Sequence, residues 1–131
     1  MGANDTLLYA ARLVRKAYVA GHRVTVTGDE GELEAFDERL WTFAPHEFIP
    51  HVFANSPLAT QTPVVLAHDV RAASAPEILV NLSGEVPSGF ERYERLIEVV
   101  GAAEDDLLAG RLRYKHYRER GYPLSKHDIE A

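Results

Sequence analysis

Two short apolar runs, Pro63-Val64-Val65-Leu66-Ala67 and Glu77-Ile78-Leu79-Val80-Asn81-Leu82, set the tightest limit on what this chain can fold into. Neither alternates polar with apolar residues, so each suits a strand covered on both faces. Such strands belong to a parallel sheet, whose crossovers are usually helices packed on both sides. The flanking sequence supplies those helices. Leu7, Leu8, Ala11, Val14 and Tyr18 recur at helical spacing in a first helix, capped by Asp5 and stopped by Gly21, with Arg12, Arg15 and Lys16 facing water. Residues 23–27 read as a strand and Gly28-Asp29 as a turn. Leu33, Phe36, Leu40 and Trp41 mark a second helix over residues 32–41.

Pro45, Pro50 and Pro57 punctuate an irregular stretch, residues 42–62, with one extended piece at 51–54. Residues 83–89 are a loop and 91–96 a short helix. Residues 97–100 read as a strand because β-branched side chains dominate, although Phe90, Tyr93, Ile97 and Val100 also fit a helical period. A last helix spans 103–120, opened by Glu104, Asp105 and Asp106, stopped by Gly121 and kept from resuming by Pro123. The expectation is a single domain over 1–131, a three-layer Rossmann-like α/β fold with a mainly parallel sheet.

The chemistry such folds commonly carry is missing. The first strand-to-helix turn, Thr27-Gly28-Asp29-Glu30-Gly31-Glu32, lacks the G-x-G-x-x-G spacing and is acidic, so it would repel a pyrophosphate. The loop from Ser83 to Gly89 contains no lysine and no phosphate-loop spacing, and Ser83 and Ser88 sit in no nucleophile motif. With no cysteine, thiol catalysis, disulfides and thiolate–metal sites are excluded. His46 and His51 are not at the one-face spacing of a zinc site and read as structural or solvent-facing. No signal segment or membrane-length apolar window is present. The sequon Asn81-Leu82-Ser83 therefore reads as chance, and the expected setting is the cytoplasm. No cofactor or metal is expected, and catalysis by this chain alone is not.

What remains is a charge reversal. Between Arg111 and Arg120 five cations stand against Glu119, a local +4 in a chain of net charge −6, which leaves −10 on everything else. Arg111, Tyr114, Lys115 and Arg118 lie at i, i+3, i+4 and i+7 and share one helix face. Cations beside a ring suit an acidic segment that ends in an aromatic residue. The bland alternative is a solvated helix face. Trp41, by periodicity alone, packs into the core of the second helix, while Phe48 and Ile49 lie in a proline-stiffened loop as either a buried anchor or a partner-facing patch.

Three groups of residues, in order, resemble a known family. They are Leu40-Trp41-Thr42-Phe43 with Phe48-Ile49-Pro50-His51; then Ile78-Leu79-Val80-Asn81-Leu82-Ser83 with Glu85-Val86-Pro87, Phe90, Arg92 and the run from Glu94 to Val100; then Arg113-Tyr114-Lys115-His116-Tyr117-Arg118 with Gly121-Tyr122-Pro123-Leu124 and His127-Asp128. Together they are similar to the chi subunits of bacterial DNA polymerase III holoenzyme, over nearly the whole chain. Members of that family begin with a strand and a short turn. Here Met1-Gly2-Ala3 leads straight into Asn4-Asp5-Thr6, which resembles the turn, so either the recorded start is late or this member lacks the strand. In the second case the sheet loses a member and has one edge open to association.

The resemblance implies a non-catalytic accessory subunit of a DNA-directed DNA polymerase, active in DNA replication. It implies a nucleotide-type fold without a nucleotide, and contact with DNA that is mainly indirect. Its partner would be the acidic C-terminal tail of single-stranded-DNA-binding protein, which carries several aspartates and ends in a proline and a phenylalanine with a free carboxylate. By motif position Arg111 and Lys115 would take the acidic groups, Tyr114 would wall the pocket for the terminal ring, and Trp41 would stand near the same site. Arg118 joins them by spacing. A second surface at Phe48 and Ile49 would meet the psi subunit, the bridge to the clamp loader. Two rival readings are direct binding of single-stranded nucleic acid through the basic helix, and a small enzyme of the nucleotide-fold type.

Overall fold

The structure, a computed structural model, describes residues 2–42, 49–72, 77–100, 104–120 and 124–128. In chain order these form α1 (Gly2–Val19), β1 (Val24–Thr27), α2 (Glu30–Thr42), β2 (His51–Phe53), β3 (Val64–Leu66), β4 (Ile78–Asn81), β5 (Arg95–Val100), α3 (Glu104–Glu119) and β6 (Leu124–Asp128). The six strands make one sheet in the order β2-β3-β1-β4-β5-β6, and every pairing is parallel. The chain thus starts its sheet in the middle and builds outward on both sides. Among the described residues no strand precedes α1.

Strand alternation assigns the layers. Val24, Val26, Val64, Leu66, Ile78, Val80, Ile97 and Val99 face α1 and α2, closing over Ala10, Ala11, Val14, Leu33, Phe36 and Leu40. The intervening Leu79 and Leu96 face the other way, onto Val70, Phe90, Tyr93 and Tyr117 of α3. The doubly covered strands are therefore the ones whose apolar runs do not alternate. Helix α3 comes in close because position 110 is glycine: a Cβ there would stand 3.1 Å from both methyls of Val100.

Helix ends follow local chemistry. Gly21, at φ 90°, closes α1 with the Ala17 carbonyl accepting from His22 N–H at 3.0 Å and the Tyr18 carbonyl from Gly21 N–H at 2.9 Å. Asp5 lies inside α1, not at its cap, because the helix already runs from Gly2. Helix α2 opens with a reciprocal box: Asp29 N–H donates to Glu32 and Glu32 N–H to Asp29, each at 2.8 Å.

A further expectation needs correction. Residues 91–96 are not a helix; a single 3-10 turn at Phe90–Arg92 leads directly into β5. Beyond Pro123, where the sequence suggested no element, β6 pairs alongside β5 from Leu96↔Leu124 to Val100↔Asp128. As an edge strand it carries no apolar run, so it gave no sequence signal. Asn81 is fully buried, which removes its sequon from reach of any transferase.

A buried polar network ties α3 to the sheet. Glu98 on β5 is 2% exposed. Its Oε1 accepts from Arg113 Nε at 3.0 Å, and its Oε2 from the Tyr117 hydroxyl at 2.6 Å and Asn81 Nδ2 at 2.8 Å. Burial pushes the Glu98 carboxyl above its usual range, opposed by the Arg113 charge and by the bonds from Tyr117, Asn81 and Arg113. The Tyr117 hydroxyl is driven well above the normal phenol range, chiefly by burial and then by the Glu98 charge. Removing the cation should be costly, since it strands a buried charge. Arg113→Met is expected to lose about 3–5 kcal/mol and Tyr117→Phe about 1–3 kcal/mol in urea unfolding.

Glu77 braces the opposite ends of β1 and β4, accepting from Arg23 N–H at 2.8 Å and pairing with His22 Nδ1 at 2.6 Å. The Arg23 N–H bond first, then His22, hold its carboxyl below the usual value. A depressed folded-state value stabilises the protein above the unfolded carboxylate pKa of about 4.5 and is lost as pH falls through that region. Thermal melts from pH 6 to pH 3 should therefore show a smaller acid loss for Glu77→Gln than for the parent.

Candidate functional site

Two surfaces could carry function. The first is a cleft of about 620 Å³ at the carboxyl ends of β1, β3 and β4, bordered by Thr27, Asp29, Glu32, His68, Arg71 and the 83–88 loop. Open α/β sheets hold ligands at this place, where neighbouring strands lead in opposite directions. Here the place is already furnished. The Asp29–Glu32 box brings two carboxylates to the helix end that a phosphate would occupy. Burial, and then the neighbouring Asp29 charge, push the Glu32 carboxyl upward, against the Asp29 N–H bond. Asp69 is taken by Arg71 at 3.0 Å, and Ser83 Oγ donates to Asn81 Oδ1 at 2.7 Å. Among the described residues no cluster of His, Cys, Asp or Glu could hold a metal ion.

The second surface is the outer side of α3. The basic residues counted together in the sequence separate here into two kinds. Arg113 points inward, 6% exposed, to Glu98 and to the Gly84 carbonyl at 3.0 Å. Arg120 pairs with Glu91 at 3.1 Å. Arg111, Lys115 and Arg118 are exposed, and none is paired with a described residue. Tyr114 shares their face and is 39% exposed. Four of the expected site residues therefore come together on one helix.

Trp41 does not join them. It is 51% exposed rather than core, with its ring 4.6 Å from that of His51 on β2. His51 is itself structural: its side chain is buried between the Ile49 carbonyl at 2.7 Å and Asp37 at 2.9 Å. Helix α2 and β2 lie on the other face and at the other edge of the sheet from α3. From β2 to β5 is four strand spacings, about 19 Å, so Trp41 and Tyr114 cannot wall one small pocket. Ile49 is likewise corrected: at 3% exposure it belongs to the core and offers no side chain to a partner. Phe48 and His46 lie outside the described residues.

Sequence reasoning missed Glu98, Asn81 and Tyr117, which orient α3. A usable signal existed: an acid inside the apolar run of β5, with Arg113 and Tyr117 four apart on the next helix. Leu108 and Leu112 are also exposed on α3.

A nucleotide bound at about one hundred times its Kd would stabilise the fold by about 2.7 kcal/mol. Thermal melts with ATP or NAD at about 1 mM are expected to show no such shift; a clear rise in Tm would revive the enzyme reading.

Comparison with known proteins gives the family. The family described as "DNA polymerase III chi subunit, HolC" matches residues 1–125. The chain is similar to DNA polymerase III subunit chi of Pseudomonas aeruginosa, 34% identical over 124 residues, covering 94% of this chain and 86% of that protein. It is similar to the Haemophilus influenzae subunit at 29% identity, covering 92% of this chain and 85% of that protein. A probable chi subunit of Rickettsia prowazekii is 28% identical over 83 residues, 62% of this chain and 50% of that protein. With the family matched across nearly its full length, this chain belongs to the chi subunits of DNA polymerase III, accessory subunits of the replication machinery.

Proposed function

We propose that this chain is a non-catalytic adaptor that acts in the cytoplasm at the replisome. It holds the acidic C-terminal tail of single-stranded-DNA-binding protein on α3 and joins it, through psi, to the clamp loader. One observation carries the reading. Arg111, Lys115 and Arg118 are exposed on one helix face beside Tyr114, paired with no described acid, although the chain outside residues 111–120 carries net charge −10. Exposed cations on an acidic protein call for an anionic partner, and the ring selects one with an aromatic end. The contact is small and the tail loses freedom on binding, so Kd for an isolated tail should be on the order of micromolar.

A second partner surface, for psi, fits the opposite edge. Trp41 stands half exposed against β2 there. Phe48, three residues before that strand, is the residue the family resemblance assigns to psi. Ile49 supports the surface from beneath, and no helix among the described residues is long and apolar enough to cross a membrane.

Fluorescence anisotropy of a labelled tail peptide, with and without its terminal phenylalanine, tests the adaptor reading. Arg111→Ala and Lys115→Ala should each weaken binding by about 1–3 kcal/mol, with further weakening as salt rises. Unchanged binding in both variants would remove α3 as the site. Tight retention of bare single-stranded DNA at physiological salt, with no affinity for the tail, would favour direct nucleic-acid binding instead.

A further inference from the structure

Leu108 is 51% exposed and Leu112 is 71% exposed, one turn apart on the crest of α3. Leu108, Arg111, Leu112 and Lys115 fall at i, i+3, i+4 and i+7, so the two leucines run directly beside the cations. By the helical period, Arg111, Lys115 and Arg118 form a row with Tyr114 on one flank and the leucines on the other. No acid lies between Leu107 and Arg118. The most buried positions of the helix are Gly110, Arg113 and Tyr117, and the two leucines belong to neither core cluster of described residues.

We infer that Leu108 and Leu112 form a second apolar subsite, which receives a hydrophobic side chain of the same acidic peptide that the cations hold. This rests on the tail-binding reading of α3 and deepens it: the ligand class becomes an acid-rich peptide with two apolar contacts, one at Tyr114 and one at the leucine ridge. Charge complementarity names the occupant. A second copy of this helix would set like charges against each other, and a nucleic-acid strand would satisfy the cations while leaving the leucines wet.

The test uses two labelled peptides with free carboxyl ends, Asp-Asp-Asp-Leu-Pro-Phe and Asp-Asp-Asp-Ser-Pro-Phe, against the full chain and its Leu108→Gln, Leu112→Gln and Lys115→Ala variants. Glutamine keeps helix propensity at these exposed positions, and circular dichroism confirms that each variant is folded. The leucine peptide should bind either glutamine variant about tenfold more weakly than the parent. The serine peptide should barely distinguish them, a non-additivity that reports direct contact. If the glutamine variants match the parent while Lys115→Ala loses binding, the leucine subsite is wrong and the tail reading stands. An equal loss for both peptides also overturns the subsite, since it reports a general effect on the helix. If the parent binds neither peptide, the tail reading fails and the subsite fails with it.

Discussion

A carboxylate in a protein core is tolerated only when its partners are in place, and Glu98 sets that condition for this fold. Its two oxygens take three donors from two layers of the molecule: Asn81 from the neighbouring strand, Arg113 and Tyr117 from α3. Removing water from the group is expensive, so any arrangement that leaves one oxygen unmet is disfavoured. Arg113 extends the constraint to the Gly84 carbonyl, and Asn81 to the Glu85 carbonyl at 2.9 Å, which holds the 83–88 loop against the sheet. Sheet, helix and cleft wall are therefore specified by one anion.

The central strands were legible because their environment leaves a plain mark. Val64–Leu66 and Ile78–Asn81 are buried on both faces, and burial on both faces removes the alternation that a half-wet strand shows. The edge was illegible for the converse reason: Leu124-Ser125-Lys126-His127-Asp128 needs only a backbone partner, and backbone pairing leaves little trace in side-chain choice. At Phe90–Arg92 the apolar spacing fitted a helix, but Phe90 and Tyr93 reach the core from a single 3-10 turn. Trp41 shows how periodicity can mislead. Its neighbours Leu33, Phe36 and Leu40 lie over the sheet, but the last turn of α2 leaves Trp41 half exposed beside the β2 edge strand, with His51 beneath its ring.

At the candidate site, charge counting found the helix but not its sides. Arg111 and Arg113 are equal in a tally, yet one meets water and the other meets Glu98. Only the glutamate embedded in β5 separates them, and its pairing across 15 residues is a tertiary fact. The acidic character of the first turn, by contrast, was open to a reader of sequence. The structure adds the geometry of that turn: Asp29 and Glu32 satisfy each other's backbone N–H groups at the helix end.

The inward arginine has one more consequence. A helix lying on a sheet could otherwise roll about its axis, sliding one side-chain row into the place of the next. Rolling α3 would pull Arg113 and Tyr117 off Glu98 together and press the helix backbone away from Val100 at Gly110. The axis is keyed, like a shaft with a pin. The outward row of Arg111, Lys115 and Arg118 is consequently aimed before any partner arrives, and a ligand meeting it finds a fixed bearing rather than a surface it must first orient.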